Sequence, residues 1–427
     1  MNPRHAKTPA PKQIAAAVIG NALEWYDFVV YGFFASVLAQ AFFPRGDDTA
    51  ALLAAFATFG AGFCTRPLGG IFFGFYADRK GRKAALQLIM FAMTVAVAVI
   101  AFAPTYATIG VCAPMLIVAG RLLQGFAAGG EFASSTAFLV EVAPARRRGL
   151  YGSLQMVGQG LSILFGTLAG FIVASAFSDE ALREWAWRLP FVAGLLIGPV
   201  GIYIRRYLDE TPAFEASPRS GAATDAFLDL VRRHGGRLLA CFAATVGATI
   251  SFYVILVYMP TYGKTEMGLT LEQSFMAQAP GLLLVILLTP AIGALSDAIG
   301  RRPLILASNA LLLLSVYPLF MWLQAEKSMT ALAAAQTAFC VILLGLFGAL
   351  STALAEQFPT HVRSSGLAIA YNLAVMTFGG FAPFIVAWLI HFLATPLAPA
   401  YYLMFGAVVG LLGGAGLRER HKALELE

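Results

Sequence analysis

Charge is what this sequence lacks most. Only 12% of its 427 residues are Asp, Glu, Lys or Arg, against about 25% in an ordinary soluble domain. So few charges cannot cover a water-exposed surface, however the chain is divided into domains. Cysteine is scarce too. Cys64, Cys112, Cys241 and Cys340 all fall inside apolar runs, without metal-ligand or disulfide spacing, and read as small core residues. No Ser/His/Asp or Cys/His set, glycine-rich phosphate loop or ligand cluster stands at one depth. The sequence therefore points to no enzyme chemistry, no bound metal and no cofactor. The alternation of polar and apolar residues that marks a transmembrane β-barrel is absent as well.

Apolar sequence is abundant. Hydrophobic residues reach 59%, and the mean hydropathy is +0.75. Runs such as Leu86–Phe102, Leu189–Ile204 and Ala307–Leu323 approach the roughly 20 residues that span a bilayer. Twelve segments can be drawn, at 14–43, 50–76, 84–104, 107–141, 150–177, 187–206, 237–262, 272–296, 303–323, 329–356, 364–393 and 397–417. The expectation is an all-α membrane protein with twelve transmembrane helices. The net charge of +6 belongs to this topology. Of the 29 basic residues, 22 fall at the terminus or on loops that share the amino-terminal side, and five fall on the other side. Arg66 and Arg121 lie within segments. That asymmetry places both termini in the cytoplasm, with lipid rather than nucleic acid as the partner. The first segment follows basic residues, but it is too long for a signal peptide and has no small-residue cleavage site.

Two signatures recur. Gly74-Phe-Tyr-Ala-Asp78-Arg79-Lys80-Gly81-Arg82 follows the second segment, and Gly293-Ala-Leu-Ser-Asp297-Ala-Ile-Gly300-Arg301 follows the eighth, 219 residues later. Glu141-Val-Ala-Pro144 follows the fourth, and Glu356-Gln-Phe-Pro359 the tenth, 215 residues later. A nearly constant offset implies two pseudo-symmetric six-helix bundles, 1–206 and 237–427, joined by a polar cytoplasmic linker at 207–236. Glycine permits a tight turn and close helix approach, while the aspartate can pair with arginines or a helix N-terminus across the bundle. Such contacts would shut one face of the protein and break when it opens. Gly74, Asp78, Arg79, Gly81, Arg82, Gly293, Asp297, Gly300 and Arg301 are thus gating candidates.

The doubled motif and the twelve-helix layout resemble the major facilitator superfamily along the whole chain. Gly20-Asn21-Ala-Leu-Glu24-Trp-Tyr-Asp27-Phe, Arg66-Pro67-Leu-Gly69, Gly120-Arg121-Leu-Leu-Gln124-Gly125, Glu184-Trp-Ala-Trp187-Arg188-Leu-Pro190 and Leu208-Asp-Glu210-Thr-Pro resemble the metabolite:proton symporter family. That resemblance implies proton-coupled uptake of organic acids or zwitterionic osmolytes. Tyr258-Met-Pro260-Thr-Tyr262-Gly263-Lys264 is most similar to citrate and tricarballylate carriers, which makes a citrate-like anion the expected substrate. A dicarboxylate such as α-ketoglutarate, another organic acid, proline or betaine are the alternatives within the class. A membrane-embedded enzyme or a receptor stands outside it, and a receptor would be expected to carry a soluble signalling domain.

Ionisable groups inside a bilayer cost about 2.5–3.5 kcal/mol each on insertion scales, so each one is a functional candidate. Asn21, Glu24, Asp27 and Tyr31 fall at spacings of three, three and four on the first segment, a single helix face expected to look into the bundle. Desolvation and repulsion suit Glu24 and Asp27 to carry a proton, with Asp27 slightly favoured; Glu131 is a candidate second proton site. A buried ion pair to Arg66 or Arg121 is the structural alternative. Arg121 would either anchor a substrate carboxylate or tune the acids. Arg66 is expected in the cytoplasmic half, with gate and substrate roles both open. Gln124, Gln155, Gln159, Tyr253, Tyr371 and Asn372 would supply hydrogen bonds, and Lys264 would capture an entering anion. One chain holds both halves, so a monomer is expected to suffice.

Overall fold

The computed structural model describes residues 11–43, 46–80, 82–195, 223–359 and 362–420, and among them every regular element is helical. In chain order, α1 runs Pro11–Phe33 and bends by 65° at Phe34 into Ala35–Phe42. Helix α2 is built from Asp48–Cys64 and Arg66–Lys80, α3 is Arg82–Ala101, and α4 joins Cys112–Ala127 to Glu131–Glu141. Helix α5 is Arg148–Ala176, and α6 is described over 188–195. In the second half α7 comprises Ala223–Ser251, Phe252–Tyr258 and Met259–Thr265. Then come α8 (Leu271–Ile299), α9 (Arg301–Glu326) and α10 (Met329–Ala355). Helix α11 comprises Arg363–Ala374, Val375–Gly379 and Ala382–Leu393, and α12 is Ala398–Gly416.

Nine of the described helices are long and apolar enough to cross a membrane, and the bent α1 pair makes ten. Helix α3, whose apolar stretch is Gln87–Ala101, and the described part of α6 fall at the two remaining positions where spans are expected. Large apolar side chains such as Leu68, Ile71, Phe91, Leu287, Leu314 and Leu412 stand exposed on the outside, where hydrocarbon would solvate them. Cys64 and Cys112 are exposed among them, so only Cys241 and Cys340 are core residues as expected. A thiol is apolar enough for either setting, and sequence does not say which side of a helix meets lipid. The expected linker is helical from Ala223 and kinks at His234 (φ −125°, ψ 16°). Residues 207–222 lie outside the described residues.

Irregular turns inside the spans have local causes. Pro260 has no N–H, and its ring displaces the carbonyl four residues back, which loosens the preceding turns into a π-helix over Phe252–Tyr258. The freed Leu256 carbonyl accepts from Gln278 Nε2 at 2.6 Å, and that of Ile255 from Gln336 Nε2 at 3.3 Å. Helix α11 repeats the arrangement. Its π turn lies before Pro383, and the Phe378 carbonyl accepts from the Tyr402 hydroxyl at 2.9 Å. Where lipid would surround it, each freed carbonyl needs such a partner.

The halves meet along α5–α8, α2–α11, α4–α11 and α1–α7. Inside the first half, α2 and α4 cross backbone to backbone. A Cβ at Gly69 would overlap the Phe126 carbonyl, and one at Gly125 the Gly62 carbonyl, so only glycine allows this approach. That crossing sets Arg66 and Arg121 at neighbouring positions.

Candidate functional site

Two guanidiniums sit in the crossing, each walled by aromatic rings. The Arg66 guanidinium carbon lies 4.9, 5.0 and 4.6 Å from the ring centroids of Trp25, Phe28 and Phe63. That of Arg121 lies 4.8, 4.6 and 5.0 Å from Phe28, Tyr31 and Phe59. Phe28 is shared. Ring faces carry negative charge, so these walls replace part of the hydration that burial removes, contributing about 2 kcal/mol in a desolvated setting. Arg121 also donates to Gln124 Oε1 at 2.8 Å and to the Phe59 carbonyl at 3.4 Å.

Beside Arg66 opens a narrow cleft lined by Glu24, Trp25, Phe28, Arg66, Ala128, Glu131 and Phe132. It has room for about one water molecule. Glu131 opens the second segment of α4, where the helix dipole favours a carboxylate. From the other half, Tyr371 stacks on Phe132 with centroids 3.5 Å apart and planes 3° from parallel. The Tyr371 hydroxyl is within hydrogen-bonding reach of Gln159 and Arg66. Asn372 donates to the Gly129 carbonyl at 2.9 Å.

The four polar residues expected on one face of α1 are divided. Glu24 lines the cleft. Asn21 packs against Gly158 of α5, and Tyr31 donates to the Ala55 carbonyl at 3.3 Å beneath Arg121. Asp27 turns to Gly194 of α6, where a Cβ would overlap its Oδ1. No ion pair joins it to Arg121, so the expected buried pair does not form there, although the guanidinium is within electrostatic reach. Arg66 lies level with Trp25 and Phe28 in the aromatic wall, within reach of Tyr371 of the second half. Gln155 accepts from Ser135 at 2.8 Å, while the Tyr253 ring packs edge-on against Phe59 and Phe63. Lys264 stands apart at the opposite end of α7, near Asp179 and Arg183. Several buried donors have no hydrogen-bond partner: Asn21 Nδ2, Gln124 Nε2, Gln155 Nε2, Gln159 Nε2, Arg66 Nε, Arg121 Nε and the Tyr253 hydroxyl.

A second cluster forms at the face where α4 ends and α5 begins, here termed the arginine-rich face. Asp297 accepts from the backbone N–H groups of Gly149 at 2.8 Å and Leu150 at 3.1 Å, capping α5 from the other half. The helices touch through Gly149 and Gly293, and a Cβ on either would strike the other's carbonyl. Arg301 bonds Asp297 at 2.8 Å and Glu356 at 3.1 Å, while Arg363 reaches across to Glu141 at 2.9 Å. Gly300, at φ +103°, starts α9, whose first N–H groups, those of Arg301 and Arg302, are capped by Glu419 at 3.1 and 2.8 Å. The first copy of the motif is less visible. Gly81 lies outside the described residues, and so do the side chains of Asp78, Arg79 and Arg82, along with Gly74 beyond its place in α2.

The halves also touch on the opposite face. The Phe275 ring rests on Gly170 and meets Phe33 edge-on at 5.4 Å, and Phe56 packs on Tyr258 at 5.6 Å. The sequence reading missed the aromatic walls, although Trp25, Phe28, Phe59 and Phe63 crowd two short stretches visible in it. It also gave no role to Glu141, Glu356 and Arg363, noting the two glutamates only as repeat markers.

The comparisons agree with this architecture. The Major Facilitator Superfamily profile matches residues 17–383. A proline/betaine transporter of Escherichia coli strain K12 is 34% identical over 96% of this chain and 83% of its own length. A citrate-proton symporter of Klebsiella pneumoniae is 36% identical, covering 94% of this chain and 90% of its own. A solved structure of the proton:xylose symporter XylE superposes with a TM-score of 0.76 over 97% of both chains at 19% identity, a likeness of fold. Family profile, relatives and fold thus coincide, and the chain belongs to the Major Facilitator Superfamily.

Proposed function

We propose that this chain is a proton-coupled symporter importing citrate or a related tricarboxylate by alternating access. Its arginine-rich face is cytoplasmic, and its halves, 1–206 and 237–427, rock about the site with 207–236 as linker. The carrying observation is the set of buried donors without partners on and beside Arg66 and Arg121: their own Nε atoms, Gln124 Nε2, Gln159 Nε2 and the Tyr253 hydroxyl. Each such donor costs about 1–3 kcal/mol until an acceptor arrives, so the site suits a solute rich in acceptor oxygens, as several carboxylates provide.

Charge balance supplies the coupling. Two guanidiniums, Arg66 and Arg121, share this region with three carboxylates, Glu24 and Glu131 in the cleft and Asp27 within electrostatic reach of Arg121. With all three ionised the site repels an anion; as they take up protons it becomes cationic and attracts one. Proton and anion binding then reinforce each other, each raising the affinity for the other. Protons are also required energetically, because each net negative charge moved inward against 100 mV costs about 2.3 kcal/mol. The similarity to a citrate-proton symporter supports the same reading.

A second reading, a zwitterion such as proline or betaine, is favoured by the three rings around Arg66, whose faces would also hold an ammonium group. The two separate by uptake into proteoliposomes under an inward proton gradient. Labelled citrate should accumulate, with competition from tricarballylate and little from betaine. No citrate uptake, together with betaine or proline accumulation, would replace the first reading by the second.

A further inference from the structure

We infer that Gly194 is a positioning residue for the proton carrier Asp27, and that the proton seat so formed lies apart from the substrate cleft. The inference rests on the proton-coupled reading above and concerns how helix α6 takes part in it. Asp27 is 6% exposed, and its Oδ1 has no hydrogen-bond partner. The Gly194 backbone lies directly against that oxygen; an added Cβ would overlap it and stand 3.1 Å from the carboxyl carbon. Glycine alone leaves the carboxyl its place. One turn earlier on the same face of α6, the Pro190 carbonyl accepts from the Tyr26 hydroxyl at 3.1 Å, which holds the two helices in register.

Among the described residues, the charged surroundings are sparse. Arg121 of α4 is the cation within electrostatic reach, and it is occupied with Gln124 and Phe59. Tyr26 is the titratable neighbour on α1 itself. On the described part of α6, Arg188 is turned to the carbonyls of Ala103 and Glu184. A carboxylate in such a seat requires either a cation or a proton. In this conformation the seat suits the protonated acid, which carries no charge to solvate. The proton is taken from water at one face and returned to water at the other once the halves have rocked. Glu24 and Glu131 line the substrate cleft with Arg66, whereas Asp27 is absent from that lining. The cleft and the Asp27 seat are therefore lined by different neighbours of α1, α2 and α4 for the one and α6 for the other.

The test uses proteoliposomes carrying wild type, Gly194→Ala, Asp27→Asn and the double variant. Two quantities are read: citrate accumulation under an inward proton gradient, and citrate exchange with no gradient. Each single variant should lower accumulation about tenfold or more, and Gly194→Ala should lower exchange by much less. The double variant should equal the singles, because both changes disable one seat. Gly194→Ala accumulating as wild type does, losing exchange equally, or adding to Asp27→Asn would overturn the inference. Should Gly194→Ala fail to fold, carbodiimide modification of wild type decides. Saturating citrate should protect Glu24 and leave Asp27 reactive at low pH; equal protection contradicts separate seats. A wild type that exchanges citrate without proton-driven accumulation refutes the coupled reading. Retained separate protection would then leave the Asp27 seat standing.

Discussion

Asp297→Asn should release the arginine-rich face, and the structure gives the size of the effect. In the closed arrangement the Asp297 carboxylate accepts two backbone N–H groups of α5, at 2.8 and 3.1 Å, besides Arg301. The side chain is only 10% exposed, so solvent screens it little. A hydrogen bond to a charged group contributes about 1.5–3 kcal/mol. Asparagine keeps the shape and one acceptor oxygen but loses the charge and the second acceptor, so about one such contribution disappears. Arg301 retains Glu356 at 3.1 Å and is not left unpaired. The closed population should then fall by about 10- to 100-fold relative to the open one, since 1.4 kcal/mol is a factor of ten. Spin labels at the exposed positions Arg146 and Arg302, in a chain freed of its four cysteines, report the separation of the halves. A longer-distance population should grow in Asp297→Asn. An unchanged distance distribution would refute the capping of α5 by the other half as a force that closes this face.

The neighbouring predictions are graded by geometry. Glu141→Gln breaks the 2.9 Å pair with Arg363, but Glu141 is 18% exposed, so the same label pair should shift less than in Asp297→Asn, by about 1 kcal/mol. Gly149→Ala places a Cβ on Ser296 and the Gly293 carbonyl; this face then cannot close, and a water-soluble thiol reagent should modify Ser153→Cys much faster than in the parent, with transport reduced. Arg121→Lys keeps the charge but loses the planar fork that holds Gln124 and lies among three rings. Uptake kinetics should show KM raised about tenfold or more, and a wild-type KM would remove Arg121 from the substrate site.

The sequence carried the architecture because bilayer chemistry writes itself into composition. Twelve apolar runs, the doubled glycine–aspartate–arginine motif and the sided arginines are all local signals. The fourth segment was read as one run, 107–141, but α4 breaks at Gly129-Gly130, and the π turns of α7 and α11 lie before Pro260 and Pro383. The 65° bend at Phe34 has no such marker. At the site, residue types were legible and partners were not. Asp27 and Glu24 are three positions apart on one helix, yet one meets Gly194 and the other the cleft. About 60° of rotation separates them, and only the packing of α6 and α2 against α1 decides which neighbour each meets. The pairing of Glu141 with Arg363 spans 222 residues, a relation no local pattern encodes.

The most direct test of proton-coupled citrate transport is a pH electrode in a suspension of proteoliposomes held without any imposed gradient. Adding citrate outside should turn the medium alkaline as protons enter with it, and Arg121→Lys should reduce that signal in step with labelled uptake. Citrate entry with no accompanying proton movement would contradict the coupling, and no entry at all would contradict the substrate.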